Sequence, residues 1–272
     1  MTRMSYASRL NRWMPTRLMK ASALLHAGAI GVAIARPLLW PWALGSVAAN
    51  HLVLTGCGLW PRSGWLGPNW TRLPPTTASV VALTIDDGPD PQVTPQVLAL
   101  LKAAGVQATF FCIGERVMRY PQLARAIVRD GHAIENHSQR HLNRFSVLGP
   151  KAIEREIREA QDSILTTTGV RPEFFRAPAG LRSPLLEPIL RKLGLRLASW
   201  TRRGFDTVNN KTDSVLAKLT RDLQSRDILL LHDGSAARTA RGMPVVLEVL
   251  PHLLTAFSNA GLRPITLRAA LV

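Results

Sequence analysis

The chain has 272 residues, enough for one large domain or two small ones around a proper core. Lys and Arg outnumber Asp and Glu by 34 to 18, a net charge of +16, and two cysteines are too few for a disulfide framework or a cysteine metal site. That charge admits nucleic acid, an anionic membrane or an acidic glycan as partner. No basic helix interleaved with aromatics and no nucleic-acid motif is present, so nucleic acid is set aside.

The chain opens on an apolar, basic third. No acidic residue precedes Asp86, whereas Arg3, Arg9, Arg12, Arg17, Lys20, Arg36, Arg62 and Arg72 do. Over 21–61 the only formal charge is Arg36, which separates apolar pieces at 21–35 and 37–61. A spanning helix needs about 20 apolar residues. Six of the seven tryptophans (Trp13, Trp40, Trp42, Trp60, Trp65 and Trp70) lie in this third, a distribution suited to the headgroup level. Three topologies stay open: a signal peptide cleaved after Ala33-Ile34-Ala35, a single anchor, and a two-helix hairpin turning at Arg36-Pro37. The positive-inside rule favours the hairpin, with both ends and the catalytic part on the cytoplasmic side of a bacterial-type inner membrane. The outer face remains open under a single anchor. Residues 1–62 are therefore expected to be a membrane anchor of two helices, 63–77 a Pro-rich linker, and 78–272 the catalytic domain.

Past the linker, strand-like runs at 80–85, 108–113, 132–135, 173–176, 195–201, 227–231 and 264–267 alternate with helix-period stretches at 95–104, 120–130, 151–167, 184–193, 212–225 and 244–260. The stretch 151–167 is the clearest, with Ile153, Ile157, Ile164 and Leu165 on one face. Such alternation predicts an α/β fold with a parallel sheet, and about seven units suggest a (β/α) barrel. Catalytic groups of such barrels gather at the C-terminal strand ends, where Asp86, Asp87, His137, Arg176 and His232 all fall.

Asp86-Asp87-Gly88-Pro89 sets two carboxylates side by side, so one can bind a metal while the other acts as a base. His137 and His141, four residues apart, can share that metal with Asp87. Arg176, before Ala177-Pro178-Ala179-Gly180, can tether a carboxylate, and the turn can present N–H groups to an oxyanion. His232 ends a very apolar strand, and Asp206 is a candidate partner that would keep it protonated. Each piece alone has a bland counterpart: a solvated Asp-Gly turn, surface histidines, a surface ion pair, a core histidine. His26, His51, His132 and His252 read as structural, and Cys57 and Cys112 as apolar filler.

With the five pieces in this order, the chain from about Thr76 onward resembles the polysaccharide deacetylases, the NodB-homology domains of carbohydrate esterase family four. Ala108-Thr109-Phe110-Phe111 and the segment from Gly131 to His137 look like that family's second and third strands. The resemblance implies a distorted barrel of about seven strands and removal of an N-acyl group, normally acetyl, from an amino sugar. It implies a divalent cation, zinc first and cobalt or nickel as alternatives, on Asp87, His137 and His141. It assigns Asp86 as base, Arg176 as its positioner, His232 as acid and Asp206 as the residue tuning it. The Ala179 backbone would serve the oxyanion and Leu230 the acyl-pocket wall. Two positions depart from the family pattern: Ala179 stands where an aromatic is frequent, and Thr207 follows Asp206 where Trp is common. The expected substrate is an N-acylated amino sugar of a polysaccharide or of a lipid-linked glycan. The competing expectation is a catalytically silent, membrane-anchored glycan-binding or scaffold protein.

Overall fold

A computed structural model describes residues 13–75 and 79–271. Arg3, Arg9 and Arg12, and residues 76–78 where the catalytic part is expected to begin, lie outside the described residues.

Two helices come first, α1 (Arg17–Ala35) and α2 (Trp40–Leu59), joined by a 3-10 turn at Pro37–Leu39. Thr16 caps α1 by accepting from the Met19 N–H at 3.2 Å, and Pro37, which has no N–H to donate, follows its end. By length and composition α1 can cross a membrane, with a mean hydropathy of 1.6 and almost none of its surface buried. The two helices meet through polar groups: Asn50 Nδ2 donates to Ser22 Oγ at 2.9 Å, and the Nε2 atoms of His26 and His51 lie 3.3 Å apart.

The catalytic part then alternates as expected: β1 (Val80–Asp86), α3 (Thr94–Ala103), β2 (Thr109–Cys112), α4 (Gly114–Arg119), α5 (Pro121–Arg129), β3 (Ala133–Asn136), α6 (Pro150–Thr168), β4 (Phe174–Phe175), α7 (Leu186–Leu193), β5 (Arg196–Leu197), β6 (Arg202–Arg203), α8 (Thr212–Thr220), β7 (Ile228–His232), α9 (Val245–Asn259) and β8 (Arg263–Ile265). All pairings are parallel, in the order β5-β4-β3-β2-β1-β7-β6, with β8 added beside β1. Among the described residues the result is a parallel α/β half-barrel of eight strands, close to the distorted barrel of about seven that the resemblance implies.

Helix α6 illustrates why the local pattern suffices in most places. Ile153, Ile157, Ala160 and Ile164 recur every three or four residues and are buried, while Gly169 takes the left-handed conformation (φ 74°) that ends the helix. Helix α4 is absent from the sequence reading, because six residues give too little period to see.

Of the single strand expected at 195–201 only β5 forms; β6 begins just beyond it, at the opposite end of the sheet. The intervening backbone is diverted from the ladder: the carbonyls of Ala198 and Ser199 accept from Arg176, and the Ser199 N–H donates to Trp70 O at 2.9 Å. The stretch expected as a linker, 63–77, fills that gap. Trp70 bridges to Ala198, Arg72 bridges to Asp227, and Leu73 is fully buried. Their backbone groups pair with the barrel because the split strand leaves groups there to be paired.

Side-chain alternation in the strands decides what faces inward. On β1, Val81, Leu83 and Ile85 join the cluster packed under the outer helices, whereas Val80 and Ala82 join an inner cluster with Phe111, Phe174 and Ile228. Counting in twos places Thr84 and Asp86 on that inner side. On β7, Leu229 and Leu231 face outward, so Leu230 and His232 follow Ile228 inward. The candidate site side chains thus continue the apolar rows that build the barrel interior.

Candidate active site

Asp86 and His232 are register partners at the ends of the neighbouring strands β1 and β7. They line one cavity of about 520 Å³ with Asp87, His137, His141, Ala179 and Leu230. Arg176 and Asp206 lie behind it, and every site residue expected from the sequence therefore belongs to one locus.

Asp87, His137 and His141 converge, with one ligand atom from each lying within 4.8 Å of the others. Asp87 Oδ1 sits 3.3 Å from both imidazole Nε2 atoms, is buried, and receives no hydrogen bond. His137 Nδ1 lies 2.8 Å from the Arg176 carbonyl, which can only accept, so Nδ1 carries the proton and Nε2 keeps its lone pair. Acceptors crowded together without a proton between them form an arrangement that a cation resolves, so the residues fit a divalent metal. Backbone geometry is unusual at this spot. Asp87 (φ 74°), Ser138 (φ 63°), His141 (φ 52°) and Ala179 (φ 55°) are all left-handed, a concentration of strain typical of functional sites.

Asp86 is held from behind. Arg176, fully buried, donates through Nη1 to Asp86 Oδ1 at 2.6 Å and to Thr84 Oγ1 at 2.7 Å, through Nη2 to Ser199 O at 2.7 Å, and through Nε to Ala198 O at 3.2 Å. One carboxylate oxygen is thereby tied down and Oδ2 is left toward the metal trio, 3.7 Å from His137 Nε2.

His232 is held by Asp206, which accepts from its backbone N–H at 2.7 Å and pairs with Nδ1 at 2.9 Å. Burial pulls this imidazole down. The Asp206 carboxylate, helped by Asp86 and Asp87, overrides burial and pushes the pKa up to about 9. His232 is thus a cation at neutral pH and a proton donor by charge state.

Several supporting residues escape the sequence reading. Thr84 shares the Arg176 guanidinium and donates to Leu229 O at 2.8 Å; alternation counted back from Asp86 would have found it. Ser235 donates to Asp87 Oδ2, and no local pattern signals that contact. Asp233, beside His232, accepts from Thr94 and is raised to about 7 by burial and by the charges of Asp87 and Asp90. At Gly88 a Cβ would lie 2.6 Å from an Asp233 oxygen, so the turn after Asp87 needs glycine. Trp200 and Thr207 also line the cavity, so Trp200 stands in the wall where the expected aromatics are missing. His132 accepts from the Ala108 N–H and lies away from the cavity, in keeping with its structural reading. Cys57 and Cys112 are both free.

Comparison with known proteins agrees with this geometry. Residues 74–198 match the family described as polysaccharide deacetylase. A peptidoglycan-N-acetylglucosamine deacetylase of Bacillus cereus is 34% identical over 181 residues, 66% of this chain and 84% of the relative. A chitooligosaccharide deacetylase of Azorhizobium caulinodans is 36% identical over 159 residues, covering 57% and 74% of the two chains. Among solved structures, a family 4 carbohydrate esterase from Streptomyces lividans, in complex with acetate, superposes with a TM-score of 0.62 at 30% identity, covering 68% of this chain and 91% of that one. A Bacillus anthracis pseudoenzyme of the same esterase family has the same fold, with a TM-score of 0.67 at 23% identity and coverage of 75% and 69%. Fold alone therefore does not separate active from silent members; the site residues must. The chain belongs to the polysaccharide deacetylase family, hydrolases that cleave the amide bonds of N-acetyl groups.

Proposed function

We propose that the protein is a membrane-anchored, metal-dependent deacylase that removes an N-acyl group, in the first instance acetyl, from an amino sugar of a polysaccharide or a lipid-linked glycan. The observation that carries this reading is the convergence of a free carboxylate oxygen, two imidazoles and a tethered second carboxylate in one cavity with a histidine backed by a buried carboxylate.

Asp87, His137 and His141 would hold the cation. Two imidazoles and one carboxylate suit zinc, with cobalt or nickel as substitutes. A cation there supplies Lewis acidity and lowers the pKa of water from about 15.7 toward neutrality. Asp86 Oδ2 takes the proton from the attacking water, while Arg176 keeps the carboxylate aimed. The Ala179 backbone N–H receives the negative charge that develops on the carbonyl oxygen, a contribution worth about 2.7–4 kcal/mol per donor. His232 delivers its proton to the departing amine through Nε2, and Asp206 keeps that proton in place until it is needed. Leu230 supplies an apolar wall for the acyl group.

The anchor is read as both helices, α1, which among the described helices is the one long and apolar enough to cross a bilayer, and α2, packed against it; the cytoplasmic side is read from the basic flanks alone. Closeness of the active site to the membrane is supported by how the hairpin joins the barrel. Ser199 Oγ donates to Pro61 O at 2.7 Å and Arg62 donates to Thr201 O at 3.2 Å, which joins the end of α2 to the cavity rim. At Gly180 (φ 74°) a Cβ would lie 2.5 Å from Trp200 and 2.8 Å from Pro61. A rim so close to the headgroup level favours a substrate presented at the bilayer surface.

The test is amide hydrolysis by the purified, zinc-loaded protein. Asp86→Asn is expected to lose about 10²–10⁴-fold in kcat while still binding zinc; an equally active variant would remove Asp86 as the base. A reporter fused to the C-terminus decides the side: periplasmic reporter activity would overturn the hairpin topology.

A further inference from the structure

Most of the arginines near the barrel rim have found a carboxylate or a carbonyl. Arg176 is paired with Asp86, Arg140 with Glu156, Arg268 with Glu135, and Arg202 with Asp227. Arg203, the next residue on β6, makes no such pair. Its guanidinium carbon lies 5.3 Å from the Trp200 ring centre and 5.0 Å from that of Phe205, and its Nε is buried without a hydrogen-bond partner. The alternation of the strand explains the contrast, because Arg202 and Arg203 point to opposite sides. Arg203 lines the catalytic cavity and also a second groove of about 770 Å³, and Trp200 is the other wall common to both. Arg62, Arg202, Lys218 and Arg221 complete the cationic lining of that groove, Arg202 already paired with Asp227, and no Asp or Glu lines it. Lys218 and Arg221 reach it from one face of α8 and its C-terminal cap, and Trp60, at the end of α2, closes it.

We propose that Arg203 is the centre of an anion-recognition subsite, contiguous with the catalytic cavity, which takes a phosphate or carboxylate carried by the amino sugar. The inference rests on the deacylase reading for the identity of the sugar. A guanidinium stacked on aromatic faces keeps its N–H edge free and pre-oriented for a two-oxygen anion, which is the geometry in which arginine outperforms lysine. Four cations without a counter-carboxylate repel one another, and a bound oxyanion relieves that repulsion. The same aromatic pair offers Phe205, half exposed, to the apolar face of a sugar ring. Arg203 thus acts as a specificity determinant, selecting anionic over neutral amino sugars before hydrolysis.

The test is calorimetric binding to the full-length zinc-loaded protein carrying Asp86→Asn, so that ligand is not consumed. N-Acetylglucosamine, N-acetylglucosamine 1-phosphate and N-acetylmuramic acid are compared at low salt. At least one anionic sugar is expected to bind about tenfold more tightly than the neutral one, with a preference that shrinks as salt rises. Adding Arg203→Gln should reduce that preference to within about twofold, and Lys218→Gln with Arg221→Gln, on the open wall, should weaken it about threefold. The anion whose preference depends on Arg203 is the one recognised. Equal binding of all three sugars, or a preference that survives both sets of substitutions, overturns the subsite. Failure of the unsubstituted protein to hydrolyse any glycan would overturn the deacylase reading alone, since the binding comparison does not need turnover.

Discussion

The barrel rim and the N-terminal hairpin both bury polar groups among apolar ones, and they do so in different ways. At the rim the buried groups are full charges, each matched to one partner: Asp86 to Arg176, His232 to Asp206. In the hairpin the buried pair is neutral: Ser22 with Asn50. Burying a charge costs several kcal/mol before any pairing, whereas a neutral hydrogen bond between helices is nearly balanced. The rim therefore carries an expense that packing does not require, and its arrangement is explained by chemistry. The hairpin carries only what holds two helices in register.

That contrast can be broken most sharply at Arg176. Arg176→Gln strands Asp86 without its partner, and an unfolding free energy lowered by about 3–5 kcal/mol is expected, together with loss of hydrolysis. A thermal unfolding curve unchanged from the parent would mean that the buried pair is not what organises the rim. The next largest effect concerns the metal trio. Zinc at about a hundred times its dissociation constant should stabilise the protein by about 2.7 kcal/mol, read as a rise in Tm after chelation and reloading. His137→Ala should abolish that rise, and persistence of the rise would place the metal elsewhere.

Asp206→Asn sharpens the acid side of the comparison. The His232 pKa stands at about 9, so the protonated donor prevails below that value and activity should fall as pH rises through it. A bound cation offsets part of the help from Asp86 and Asp87, so the alkaline limb should fall at or below about 9. Without the Asp206 charge the limb should move down toward the ordinary histidine value of about 6.5. Stability follows the same sign: the contribution of the charged pair is complete below about 6.5 and is lost as pH climbs through about 9. An unmoved alkaline limb would dismiss His232 as the titrating acid. The smallest effect belongs to the hairpin, where Asn50→Leu should cost about 0.6 kcal/mol in detergent unfolding. A loss of several kcal/mol there would erase the distinction between the two regions.

Much of this site was legible before folding. Two adjacent carboxylates after an apolar run and a histidine ending Leu229-Leu230-Leu231 declare their chemistry through spacing, because a strand alternates in twos; His137 and His141, expected on one helical turn, meet instead across a bend in which Ser138 and His141 are left-handed. The seven-unit alternation was legible for the same reason. What escaped was whatever depends on partners far along the chain. Thr84 meets Arg176 across 92 positions, and Ser235 meets Asp87 across 148. The division between β5 and β6, where one strand was expected at 195–201, follows from Arg176 taking the carbonyls of Ala198 and Ser199. The docking of Trp70 and Leu73 into the resulting gap, and the opening of a cationic groove beside Trp200, follow from that division. Local periodicity is a property of neighbouring residues and can be read in order; the pairing of buried charges and backbone groups is a property of three-dimensional proximity, and only the folded chain decides it.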